Sequence, residues 1–265
     1  MSVGEWVPEL TELSDLRHGY QISKLYSPFA DLNRIWRKSK DPDKLMSFYN
    51  HDLGEAYSPL GSKITESEIL SCRGDHKIQS SYNGPGATMG VDVGKKIHIR
   101  ISIPDETGYR RVIFLGERRS IEPDVPDLIR KFNVRRCVID HNPEVEKVEE
   151  LKLNHEHIVY SCIFPNKEFN GQYYLAGPNY TLHGNRTLLM DRVQTKHNRG
   201  EVILPSNVKE VRDFIRHMNA PVRAKKNDPE TGEEMYFYPN TTRADHYFFA
   251  SLYDDLAAST SPQGS

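Results

Sequence analysis

Three aspartates are the residues of this chain best placed to do chemistry. Asp92 lies inside an apolar run, Met89-Gly90-Val91, that reads as a strand, and Gly94-Lys95-Lys96 follows as a turn. An ionised carboxylate between Val91 and Val93 is costly to bury without a cation, unless it merely caps the turn at Gly94. Asp140 ends a second apolar run, Val134 to Asp140, at the carboxyl end of a strand, where α/β sheets hold ligands. Asn142 is the expected cap of the helix that follows, which leaves Asp140 free. Asp245 stands near the start of the last helix, where an acid also complements the helix dipole. Three carboxylates on a first strand, a later strand end and a late helix match what two-metal phosphodiester chemistry needs. Hard Mg²⁺ or Mn²⁺ ions take several oxygen ligands from rigid elements.

The elements that must position these acids follow from hydrophobic period. After Asp92, the residues Ile97, Ile99, Ile101 and Ile103 alternate with His98, Arg100 and Ser102, so a β-hairpin is expected over Thr88 to Ile103. Tyr109 to Leu115 is a third strand. Val125, Leu128, Ile129 and Phe132 make one helical stripe within 122–132, and Val145, Val148 and Leu151 another. With strands at 134–140 and 158–164, the order is strand, strand, strand, helix, strand, helix, strand. That order predicts an α/β fold, a mixed sheet covered by helices. Residues 186–204 read as a hairpin with Asn198-Arg199-Gly200 at its tip, 207–218 as a helix capped by Asn207, and 225–238 as a hairpin. The final helix is expected from about Thr242 to Ala258.

The first 60 residues look helical and aromatic. Leu32, Ile35 and Trp36 share one face, and Asp41-Pro42 starts a second helix that continues through Leu45, Phe48 and Tyr49. Thr65 and Glu68 form a capping box, stapled by Ile64 and Ile69. The polar, turn-rich stretch 74–86 suggests a boundary, with a helical segment over 1–83 and a sheet domain over 84–265.

Composition excludes several classes. The chain has 265 residues and a net charge of −2. No apolar run is long enough to span a membrane, and the N-terminus lacks a signal-peptide pattern. Cys72, Cys137 and Cys162 are scattered without C-x-x-C spacing, which suggests a reduced compartment and no zinc ribbon. Any nucleic-acid contact must come from local basic groups. Lys95 and Lys96 beside Asp92, and Arg192, Lys196 and Arg199 on the 186–204 hairpin, are the DNA-binding candidates, the last two guiding duplex from a mobile tip. Arg118-Arg119, Arg135-Arg136 and Lys225-Lys226 are further doublets. His141 and His183 are expected to make local hydrogen bonds.

The motifs GVDVG, VIDHNPE and RADHYFFASLY, in this order and spacing, resemble the acidic motifs of a ribonuclease H-like nuclease. More specifically they resemble the nuclease domain of the large terminase subunit of tailed bacteriophages. GYQISKLYSP and FYNHDLGEAYSP are similar to the end of the terminase ATPase core and the linker after it. The resemblance implies an endonuclease that cuts concatemeric viral DNA during packaging, with Asp92, Asp140 and Asp245 as catalytic metal ligands for two Mg²⁺ or Mn²⁺ ions. It implies double-stranded DNA, the ATPase part, the portal and the small terminase subunit as partners, in the host cytoplasm and not in the mature virion. No phosphate-binding G-x-x-x-x-G-K-[ST] is present, so the ATPase is expected on another chain or segment. The family's fourth acid is also missing: His98 follows Asp92 and His246 follows Asp245, which implies a weak second metal or one completed by DNA phosphate. Other classes stay open: a non-catalytic docking module using the aromatics of residues 1–60, or a resolvase-type nuclease.

Overall fold

The computed structural model describes residues 23–40, 48–54, 62–165, 169, 171–177, 179–227 and 234–260. The chain forms two compact units, 1–60 and 61–265. The break in packing therefore lies ahead of the expected one at 83–84. Residues 62–83 belong to the second unit because Ile64, Ile69 and Cys72 are buried in its core.

In the first unit, helix α1 spans Leu32–Lys40, and a π-helical turn spans Phe48–Leu53. Buried Asp52 ties the unit together, pairing with Lys24 at 2.9 Å and Lys38 at 2.7 Å. Ile35 is buried, whereas Leu32 and Trp36, expected on its face, are exposed. The helix start expected at Asp41-Pro42 and the tail 261–265 lie outside the described residues.

The second unit opens with α2, Glu66–Ser71, whose capping box forms as expected: Thr65 accepts from the Glu68 amide, and Glu68 from the Thr65 amide. The strands are β1 (Ala87–Asp92), β2 (Ile97–Pro104), β3 (Arg110–Arg118), β4 (Val134–Asp140), β5 (Val159–Ile163), β6 (Tyr173–Leu175), β7 (Thr181–Gly184) and β8 (Val202–Ile203). They form one mixed sheet in the order β6-β7-β5-β4-β1-β2-β3-β8, with β2 and β6 running against the rest. This is the mixed sheet covered by helices that the sequence predicts. Helices α3 (Asp124–Lys131) and α4 (Val145–Asn154) cover one face of the sheet. Against the other lie α5 (Arg186–Asn198), α6 (Phe214–Met218) and α7 (His246–Ser259). A separate hairpin pairs β9 (Ala224–Asn227) with β10 (Glu234–Phe237).

Three expectations are corrected. Residues 186–198 are helix, not the first arm of a hairpin. Asn185 caps them through the Leu188 amide, and the buried set Leu189, Met190, Val193, Gln194 and His197 recurs every three to four residues. The run Leu188-Leu189-Met190 fits either period, and burial of the polar Gln194 and His197 decides it. Asn207 makes no capping bond, its Oδ1 accepting from the Ile78 amide, and it precedes only a three-residue turn, because Asp213 takes a left-handed φ of 61° and starts α6 separately. Asn142 does not cap α4, which begins at Val145 behind Glu144.

Helix α7 lies along β1, and the two periods match. Four residues of helix advance about 6.0 Å and two of strand about 6.6 Å. So His246 meets Asp92, Ala250 meets Gly90, and Asp254 meets Thr88. Contact is close at Gly90, where a Cβ would lie 2.1 Å from the Ala250 carbonyl oxygen and 2.2 Å from the Asp254 nitrogen. Only glycine lets the helix come so near. The polar edge of β2 is covered too: His98, Arg100 and Ser102 are buried facing this helix, not solvent.

Candidate metal centre

The sheet brings Asp92 and Asp140 together by register. β1 and β4 are adjacent and parallel, and Val91 pairs with Ile139, so the two carboxylates end neighbouring strands at the same level. Asp245 arrives as the N-cap residue of α7, and its side chain makes no capping bond. Its neighbour His246 reaches Asp92, Nδ1 to Oδ2 at 2.8 Å. Asp140 and Asp245 thus both lie near Asp92 at the carboxyl edge of the central strands, beside a helix N-terminus that favours negative charge. Among the described residues, however, the ligand atoms within 4.8 Å of one another are those of Asp92, His98 and His246, not of the three aspartates.

The electrostatics fit a cation-binding cluster. Burial and the Asp92 charge push the Asp140 carboxyl up to about 7. The same two causes raise Asp245, opposed by His246 and Arg186. Asp140 also accepts from the Asn142 amide at 3.3 Å and is bonded by the buried Tyr253 phenol. Partly desolvated carboxylates that repel one another are what a divalent ion relieves.

Histidines complete the site, and sequence reasoning passed over them as departures. Asp92, His98 and His246 each offer one ligand atom, all within 4.8 Å of one another. The His98 and His246 rings stack at 4.6 Å, and His217 meets both edge-on. Glu117 lies 3.6 Å from His98 Nε2, while His98 Nδ1 is buried with no hydrogen-bond partner. The hydrogen bond to Asp92 raises His246, whereas burial depresses His98 and takes His217 to about 4. A ring held at one nitrogen by a carboxylate, with the other free, is how metal-ligating histidines are oriented. The available signal was period two: His98 shares a strand face with Arg100 and Ser102, the face that α7 covers.

The basic candidates divide. Lys95 and Lys96 are exposed in the turn just beyond Asp92, Lys96 pairing with Glu117 at 2.6 Å. Arg192 and Lys196 lie on α5 and hold Asp255 of α7, at 3.4 and 2.7 Å. Asp255 is ten residues along α7 from Asp245, about 15 Å of helix. Arg199 ends α5 beside Glu201 at 3.8 Å. Being part of a packed helix, Lys196 has no free hairpin tip from which to guide DNA. Arg186, not among the candidates, is the cation whose charge reaches Asp245. His183 bonds Tyr174 at 2.8 Å, a local hydrogen bond as expected, whereas His141 Nδ1 is buried 3.6 Å from Glu149 without a hydrogen bond. The three cysteines are free and buried.

No curated protein matches this sequence. Among solved structures, the large terminase nuclease from thermophilic phage G20c with bound magnesium is 11% identical. The match covers 72% of this chain and 94% of that one, with a TM-score of 0.47. The nuclease domain of the large terminase subunit gp2 of bacterial virus Sf6, with manganese and beta-thujaplicinol, is 6% identical over 75% and 99%, at 0.49. The HK97 bacteriophage large terminase is 12% identical over 84% of this chain and 49% of that one, at 0.37. This chain thus spans about half of the HK97 protein. Residues 17–104 match the family model of the terminase large subunit gpA, endonuclease domain, a stretch that includes Asp92 and His98.

Proposed function

We propose that this chain is a divalent-metal-dependent DNA endonuclease that cuts concatemeric viral DNA during phage genome packaging. What supports the reading is that Asp140 and Asp245 each lie near enough to Asp92 for its charge to raise their carboxyls, in a chain whose residues 17–104 match a terminase endonuclease family. The donor set suits Mg²⁺ or Mn²⁺: hard carboxylate oxygens dominate, and His98 and His246 add nitrogen donors that favour Mn²⁺. Two bound ions would activate a water and stabilise the leaving 3′ oxygen.

The chain's own residues supply the rest. Asp92, Asp140 and Asp245 hold the cations on rigid strand ends and a helix start. His246 fixes the Asp92 carboxylate, and Glu117 lies 3.6 Å from His98. Lys95 and Lys96 meet the incoming phosphodiester, while Arg192, Lys196 and Arg199 lie further along α5 as weaker candidates for the DNA track. Double-stranded DNA is the substrate. The ATPase part of the motor, the portal and the small terminase subunit are the partners, in the host cytoplasm.

Nicking of supercoiled plasmid in Mn²⁺ or Mg²⁺ tests the reading. Asp→Ala at any of positions 92, 140 or 245 is expected to abolish it, and undiminished nicking in all three variants overturns the assignment. A second reading, a docking module of the motor, draws on the exposed Tyr26, Phe29, Leu32 and Trp36 of the first unit. It is the better reading if the wild-type chain nicks in neither metal.

A further inference from the structure

At the end of the sheet opposite the carboxylates, β1, β3, β4 and the last turn of α7 enclose a cleft of about 270 Å³. Thr88 and Asp92 are four residues apart on one strand, so cleft and metal centre are separated by about 13 Å. Three arginines, Arg110, Arg135 and Arg136, line the cleft with Thr88 and Thr260, and no carboxylate does.

The three guanidiniums are held differently. Arg110 is braced, its Nη2 donating to Thr88 Oγ1 at 2.6 Å and to the Ser102 carbonyl at 2.7 Å, its Nε to Ser102 Oγ at 3.1 Å. Arg136 is 7% exposed, lies over the Tyr160 ring at 5.5 Å, and its Nε has no hydrogen-bond partner. Arg135 is exposed at the rim. Among the described residues neither Arg135 nor Arg136 forms an ion pair. The nearby buried acid, Asp254, is already taken: it contacts Arg100 at 3.0 Å and accepts from Thr88 at 2.6 Å and Ser102 at 2.5 Å. A buried, unpaired arginine is expensive. Planar guanidinium forks lining one cleft are suited to tetrahedral oxyanions, whereas the Thr88 and Thr260 hydroxyls already donate, to Asp254 and to the Leu256 carbonyl.

We propose that this cleft is a second, non-catalytic phosphate-binding site, in which Arg110, Arg135 and Arg136 clasp one phosphate group. That group is either a DNA backbone phosphate or a free phosphate such as that of a nucleotide. The site does not depend on the nuclease reading, because neither its residues nor its chemistry involve the metal centre.

The test follows the arginine Nε–H signals of the full chain by NMR in EDTA as inorganic phosphate is added. Saturable shifts confined to Arg110, Arg135 and Arg136 are expected. Arg136→Met, which keeps the packing on Tyr160, should weaken binding at least tenfold, and Arg135→Ala severalfold. Asp92→Asn should leave it unchanged. Since Arg135 is exposed, its variant keeps the test decisive even if Arg136→Met does not fold. A short DNA duplex then separates the sources. If the cleft takes backbone phosphate, Arg135→Ala lowers the salt slope of DNA binding by about one, and inorganic phosphate competes with duplex. If DNA binding is unaltered while phosphate binding falls, the ligand is a free phosphate. Absence of saturable phosphate binding to the wild type, or binding undiminished in both arginine variants, overturns the proposal.

Discussion

Replacing Asp140 by Asn should make the metal-free protein more stable while abolishing its activity. Asp140 ends β4 beside Asp92, and burial together with that charge raises its carboxyl from 3.8 to about 7. The folded state therefore holds this proton more tightly than the unfolded chain does. Stability from this group is fully present below about pH 4, is lost as pH rises through about 7, and stays lost above. Three units correspond to about 4 kcal/mol, and on the order of 2 kcal/mol survives once partial exposure lets water screen the charge. Asn removes the charge and keeps an oxygen for the Asn142 amide. In EDTA at pH 8, urea unfolding should place Asp140→Asn above wild type by about 2 kcal/mol, or about 5 °C in Tm. At about pH 3.5, where Asp140 is mostly protonated in both states, the advantage should nearly vanish. Saturating Mn²⁺ should reverse the order at pH 8, since a ligand at a hundred times its Kd adds about 2.7 kcal/mol to the protein that binds it. A variant no more stable than wild type at pH 8, or equally stabilised at both pH values, would refute the mutual repulsion on which the site is argued.

Other substitutions separate the neighbouring contacts. Gly90→Ala drives a methyl into the backbone of α7 and should cost about 3 kcal/mol in denaturant unfolding, with loss of nicking. His246→Ala should weaken Mn²⁺ binding about tenfold in calorimetry and Mg²⁺ binding less, because nitrogen donors matter more to Mn²⁺. Lys196→Ala breaks a partly buried pair with Asp255 and should cost about 1 kcal/mol, whereas Arg199→Ala, at an exposed pair, should stay within about 0.5 kcal/mol.

The sheet was legible in the sequence because its central strands carry unmistakable patterns. Ile97, Ile99 and Ile101 give period two, Val134 to Asp140 is a continuous apolar run, and Val125, Leu128, Ile129 and Phe132 mark the helix between them. Local chemistry sufficed for the Thr65–Glu68 cap as well. The three aspartates were singled out because a carboxylate inside an apolar run, at a strand end or at a helix start needs an explanation, and the structure puts Asp92 at the end of β1. What failed was period over mixed polarity. In α5, the buried Gln194 and His197 looked like solvent-facing positions, so a helix read as strands and its tip as a DNA guide. The same bias hid β6 and β7, three and four residues long, and the histidines of the site. A polar residue's burial depends on what packs over it, and that is a long-range fact.

That long-range fact here is α7. Its interior carries Asp254 and Asp255 at 1% and 4% exposure, which no amphipathic stripe predicts. The cost of burying them is offset because strand and helix periods agree along β1, so that one helix meets three successive outward positions of one strand. At the carboxyl end that match sets His246 on Asp92 next to Asp245. At the other end it sets Asp254 among Thr88, Ser102 and Arg100, which leaves Arg136 without an acid. An excess of carboxylate at one end and of guanidinium at the other are thus two results of a single packing register. The hinge of that register is Gly90, where the two backbones come so near that a Cβ would not fit. A cation at the first end and a phosphate at the second each neutralise what the register leaves uncompensated.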